Sequence, residues 1–313
     1  MLSSFLRIVI PRFRRVGLVL WLILPAEPVF SAPIDVVTST SDLKSLVEFV
    51  GGPLVRVTSL APPTLNAEHF QARPQDLALI QRAKLVVRIG LDYDLWLDGL
   101  LNKSGRPELM RGPAYVDTSY GITLLDIRSA TLDARSGHGH GGGNPHYWLD
   151  PLNAEIISAS ILNGLRRVDP ANATQYEKHR AEFVRRLHAR QALWQAQLAP
   201  LAGKPFLAYH DSWAYFARRY RLHIVDIIEP KPGIPPTPAR LGTLLKTIKT
   251  QRVRAILKQS YDADSFPNLL SRRGDIPVVV LAASVGSVPH TADYFSMMDF
   301  NAKALLAVSA PSH

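Results

Sequence analysis

Residues 169–200 read DPANATQYEKHRAEFVRRLHARQALWQAQLAP. After Asp169 and Pro170 the stretch holds no glycine or proline until Pro200, so nothing in it interrupts a helix. Tyr176, Phe183, Leu187, Trp194 and Leu198 recur at intervals of 7, 4, 7 and 4, which puts all five on one helical face. At 1.5 Å per residue this helix would run roughly 43 Å, long enough to serve as a stiff strut along two lobes.

The sequence on either side supplies those lobes. Apolar, strand-like runs at Ile34–Val37, Leu54–Ser59, Lys84–Ile89 and Ala114–Asp117 alternate with helix-like stretches. This β-α-β-α order implies a parallel sheet covered by helices. One helix is expected at Asp42–Val50, opened by Ser41 and stopped by Gly51 and Gly52. The pattern repeats with strands at Pro205–Tyr209, His223–Ile228, Arg254–Lys258 and Val278–Leu281, and helices near 212–220, 238–250 and 263–272. Thr237 before Pro238 is an N-cap followed by proline in the first turn. The expected fold class is α/β: two parallel-sheet lobes joined by a long connecting α-helix, with lobes at 33–168 and 201–313 and the connector at 169–200.

Residues 1–32 are set apart. Arg7, Arg12, Arg14 and Arg15 precede the apolar run Val16–Leu24, and small residues lead to Ser31 and Ala32. That is the order of a cleavable signal peptide, with cleavage expected after Ser31 or Ala32. The nine-residue run is well short of the roughly 20 needed for a membrane-spanning helix, so the expected location is outside the cytoplasm, in a periplasm. With no cysteine, the chain has neither disulfides nor thiolate ligands. Net charge is +10, falling to +7 without the leader. The tightest basic pairs, Arg185–Arg186 and Arg218–Arg219, read as solvated helix faces, so nucleic acid is not an expected partner.

Histidines mark the site. The stretch from His138 to Pro151 reads HGHGGGNPHYWLDP. Imidazole is the commonest protein ligand for borderline metals, and Pro145 and Pro151 fix the backbone around His146. Open parallel sheets bind ligands at the carboxyl ends of their strands. His69 follows the strand at Leu54–Ser59, His210 ends the strand at Pro205–Tyr209, and Glu229 ends the strand at His223–Ile228. Donors drawn from both lobes would form a metal site in the cleft between them. His138 and His140 lie among glycines, too mobile for a defined site, and read as transient metal capture or as nothing. His179, His188 and His223 read as structural, and His313 is terminal.

Five stretches carry a resemblance: His69 with Arg73-Pro74-Gln75-Asp76, GLDYDLWL at 90–97, NPHYWLDP at 144–151, AYHDSWAYF at 208–216 and EPKPGI at 229–234. In this order they resemble the periplasmic zinc or manganese substrate-binding proteins of ABC importers, the cluster A-I solute-binding family, over nearly all of the chain after the leader. The resemblance implies two rigid lobes, limited closure on metal, a monomer, and delivery to a membrane permease. It places ligands on His69, His146 and His210. Histidine at the third position resembles the zinc-preferring branch, in keeping with imidazole for zinc and oxygen donors for manganese. One departure stands out: the family's fourth ligand is usually an acid just after the last strand, where this chain has Ala282. Glu229, His290 or water are the candidates to replace it.

Two other classes fit parts of the pattern. Three histidines and water is also the arrangement of catalytic zinc, with Glu229 or Asp211 as general base in a hydrolase. No His-Glu-x-x-His motif supports that reading. A metal-containing adhesin is the third class. The expected protein is not an enzyme, and its cargo is Zn2+ ahead of Mn2+.

Overall fold

The computed structural model describes residues 32–125, 142–229 and 233–308. Residues 1–31 of the leader and the histidines at 138 and 140 lie outside the described residues. The first half forms β1 (Ile34–Thr38), α1 (Ser41–Gly51), β2 (Val55–Ser59), α2 (Pro74–Arg82), β3 (Leu85–Arg88), α3 (Trp96–Lys103), α4 (Glu108–Arg111) and β4 (Tyr115–Asp117). Then come α5 (Pro151–Val168) and α6 (Ala173–Leu198). The second half forms β5 (Pro205–Ala208), α7 (Ala214–Tyr220), β6 (His223–Ile227), α8 (Pro238–Gln251), β7 (Ile256–Gln259), α9 (Ser265–Gly274), β8 (Val278–Leu281) and α10 (Tyr294–Leu306).

The strands make two four-stranded sheets of identical plan, β2-β1-β3-β4 and β6-β5-β7-β8, with every pairing parallel. The repeated order follows from the repeated β-α pattern, since each crossover helix must cover a sheet face. All eight expected strands are present, with ends moved by no more than two residues. Thr40, rather than Ser41, caps α1, its hydroxyl accepting the Leu43 N–H. Gly52 ends that helix at φ 56°, and a Cβ there would stand 2.6 Å from the His179 ring.

The connector is α6, flanked by 3-10 turns at Pro170–Asn172 and Ala199–Leu201. Its buried residues are the same five that the spacing selects, Tyr176, Phe183, Leu187, Trp194 and Leu198. Its 26 residues span about 39 Å. On the first-lobe side α6 packs against α1 and α5, and α10 returns from the end of the second lobe to pack on it as well. Phe49, Phe183, Trp194 and Phe295 meet there ring to ring, and the Arg186 guanidinium lies 4.0 Å from the Phe295 ring centre. Trp194 donates to Asp299 at 2.7 Å, and Arg190 pairs with the same carboxylate.

One cluster of buried apolar residues takes in members from Val36 of the first lobe to Leu305 of the second, so the lobes share a core, while a smaller second core lies under α8 and α9. Burying one large side chain stabilises by roughly 1.5–3 kcal/mol, and a shared core makes lobe separation costly. Polar links add to it. Asp42 of α1 accepts the Val285 N–H at 2.9 Å, Ser45 accepts the Tyr294 N–H at 3.0 Å, and Trp148 donates to the Ala283 carbonyl at 2.9 Å. Arg219 is not on a solvated face as the sequence suggested. It makes two bonds, 2.7 and 2.9 Å, to the fully buried Asp150, which also caps α5.

Candidate metal centre

The candidate site draws its donors from loops of both lobes. The first donor comes from the loop between β2 and α2. Asn66 accepts the Glu68 N–H at 3.0 Å and opens a 3-10 turn at Ala67–His69. Trp96 holds the turn by donating to the Ala67 carbonyl at 2.8 Å, and its ring meets Phe70 edge-on. At the far end of the loop Asp76 accepts the Arg73 N–H, fixing the start of α2.

The second donor is His146. Asn144 accepts from the His146 backbone N–H and lies 3.0 Å from its Nδ1. The 3-10 turn Tyr147–Leu149 then leads into α5. Tyr147 donates to the Ile89 carbonyl at 2.6 Å, and Tyr93 and Trp148 pack on the His146 ring at 5.4 and 5.3 Å. The histidine is 4% exposed.

His210 is the third donor, two residues beyond β5 and ahead of α7. The end of β6 lies beside it, with the Glu229 N–H bonded to the Tyr209 carbonyl. Glu229 Oε2 is 2.9 Å from His210 Nδ1, and Glu229 Oε1 accepts the Gly233 N–H at 2.7 Å. Burial opposes the charged form of His210. The Glu229 hydrogen bond and the negative charges of Glu68, Glu229 and Asp262 outweigh it, holding the imidazole above the usual histidine value. Asp262, on the loop after β7, is itself pushed up to about 6 by burial.

These donors converge. Glu68 Oε1 lies 3.3 Å from His146 Nε2 and 3.9 Å from His210 Nε2, and the three donor atoms fall within 4.8 Å of one another. Ligands of a tetrahedral ion bound at ~2.05 Å stand roughly 3.3 Å apart. One edge already has that length, the second is slightly long, and the third, between the imidazoles, is no longer than 4.8 Å. Each ring is held at Nδ1 by an oxygen, which presents Nε2 to the centre, the usual support of metal-binding histidine.

Two of the expected residues, His146 and His210, are brought together. His69 is not: its side chain is exposed, and Glu68 takes the inward place. Neighbours in a 3-10 turn point about 120° apart, so one of the two faces the cleft and the other faces solvent. Glu229 supports His210 instead of joining the cluster. His290 is exposed in the loop before α10, at φ 66°. Ala282 is buried, with both its backbone polar groups bonded to Asn301. The sequence signal for Glu68 was its place beside His69, which drew the reading to the imidazole.

Two buried imidazoles and a carboxylate drawn from both lobes could hold a divalent cation. Residues 36–308 match the model of the family described as "ZnuA: Zinc-uptake complex component A periplasmic", and the chain belongs to that family. The chain is 28% identical over 252 residues to the "High-affinity zinc uptake system protein ZnuA" of Brucella abortus (strain 2308), covering 69% of this chain and 73% of that one. It is 22% identical over 283 residues to the "Manganese ABC transporter substrate-binding lipoprotein PsaA" of Streptococcus pneumoniae, covering 87% of each. A solved structure described as "Crystal structure of ZnuA" superposes with a TM-score of 0.76 at 26% identity, covering 89% of this chain and all of that one. The family consists of extracytoplasmic metal-binding receptors of ABC importers, not enzymes. No helix among the described residues is long and apolar enough to cross a membrane.

Proposed function

We propose that this chain is the zinc receptor of an ABC importer: exported by residues 1–32, it takes up Zn2+ in the periplasm and delivers it to the permease. The observation that carries the reading is the convergence of His146 Nε2 and His210 Nε2 on Glu68 Oε1. Two imidazoles out of three donors suit zinc, whereas manganese favours oxygen. In this reading Glu68, His146 and His210 take three positions of a tetrahedral ion and water takes the fourth.

One observation favours a manganese reading, the replacement of an expected imidazole by the Glu68 carboxylate. Growth and metal uptake of a deletion strain separate the two. The zinc reading expects the strain to stall under zinc limitation, to lose uptake of radioactive zinc, and to recover with the wild-type chain but not with His146→Ala. A strain that needs manganese instead, or that grows normally in zinc-poor medium, would overturn it.

A further inference from the structure

We propose that Asn144 is a positioning residue that joins the two imidazole-bearing turns and sets the tautomer of His146. This deepens the proposed metal site and rests on His146 and His210 being ligands.

Asn144 is 6% exposed and every end of it is held. Its Nδ2 donates to the Asp211 carbonyl at 2.8 Å, on the residue after His210. A carbonyl only accepts, so the amino end of the amide must face Asp211 and Oδ1 must face His146. There Oδ1 meets the His146 backbone N–H and Nδ1, both at 3.0 Å. An amide oxygen also only accepts, so the Asn144 contact selects a proton on Nδ1 and leaves the Nε2 lone pair for a metal, against the Glu68 carboxylate, which competes for that proton from the Nε2 side. That nitrogen is the one 3.3 Å from Glu68 Oε1.

The backbone of Asn144 is anchored too. Its N–H donates to the Leu125 carbonyl at 2.9 Å, and its own carbonyl accepts the hydroxyl of Tyr215, on α7, at 2.9 Å. One side chain therefore fixes the ring of the first-lobe histidine and grips the second-lobe turn that carries the other. Glu229 does half of this work, for His210 alone.

The test is histidine nitrogen and carbon NMR on metal-free protein at pH 8, together with zinc affinity by chelator competition. Wild type should show His146 with its proton on Nδ1. In Asn144→Ala that proton should move largely to Nε2, and zinc affinity should fall by roughly 10- to 100-fold. Asn144→Asp keeps an acceptor for Nδ1 but sets a carboxylate oxygen against the Asp211 carbonyl. It should retain the Nδ1 proton, bind zinc more weakly than wild type, and decide the matter if the alanine variant does not fold. An unchanged tautomer in Asn144→Ala, or its loss in Asn144→Asp, would overturn the proposal. Failure of the metal site itself has a different signature: zinc added to wild type would leave the His146 and His210 resonances in place.

Discussion

His210 Nδ1 and Glu229 Oε2 stand 2.9 Å apart at the ends of adjacent parallel strands, a partly buried carboxylate behind a buried imidazole. The pair sets Glu229 behind His210, whereas the sequence offered it as a candidate fourth ligand. Replacing it with Gln keeps an acceptor and removes the charge. Glu229→Gln should retain one zinc per chain but bind it roughly 10-fold more weakly, since outer partners of ligating histidines typically contribute 10- to 100-fold. Competition against a zinc chelator measures this, and loss of stoichiometric binding would make Glu229 a ligand after all.

Glu68 and His69 are neighbours with opposite surroundings, one facing the imidazoles and one exposed. Glu68→Ala should weaken zinc at least as much as the roughly 10-fold of an outer-partner loss. His69→Ala should cost much less. The reverse ranking would restore the assignment made from sequence.

The pH dependence of binding follows from His210, which is held above the usual histidine value near 6.5 mainly by its carboxylate neighbours acting against burial. A raised value means that the metal-free site holds a proton at a higher pH than ordinary histidine does. Zinc must displace that proton, so affinity should be full well above the raised value and fall as pH drops through it. Affinities measured from pH 8 to pH 5 should decline steadily, and a flat profile would exclude imidazole ligands.

Much of this architecture was legible. The five-residue stripe on α6 and the eight strands follow from periodicity, because a buried face must be apolar whatever it packs against. Helices α5 and α10 were not singled out, although Asp150-Pro151 and Asp293 with Ser296 are good start signals. The shared core was hidden as well, because which lobe α10 joins depends on contacts such as Tyr294 with Ser45, 249 residues apart. At the site, strand-exit position pointed to His210 and the NPHYWLDP stretch to His146, but periodicity carries no information on which of two adjacent turn residues points inward. That is why Glu68 was missed.

Asp42 gives a stability prediction independent of metal. Burial pushes its carboxyl up to about 7, against the Val285 N–H and Ser284 hydroxyl that favour the charged form. The tyrosines within its electrostatic reach, Tyr93, Tyr261 and Tyr294, are themselves pushed up by burial and stay neutral. A value raised above the ordinary 3.8 means that folding takes up a proton. The contribution is full below about pH 4, shrinks as pH rises to about 7, and is flat beyond. At about 1.4 kcal/mol per pKa unit the change is on the order of a few kcal/mol. Asp42→Asn mimics the protonated form and keeps an acceptor for Val285. In chelator, urea unfolding should find it more stable than wild type at pH 8 and equal near pH 4. A constant difference across that range would rule out the titration.

The most direct measurement is a metal count on the chain lacking residues 1–32, stripped with chelator and titrated with zinc and with manganese, beside His146→Ala. We expect one zinc per chain, manganese bound far more weakly, and the zinc site lost in the variant. No saturable zinc site, tighter binding of manganese, or a His146→Ala variant that holds zinc as the wild type does would contradict a zinc receptor built on these two imidazoles.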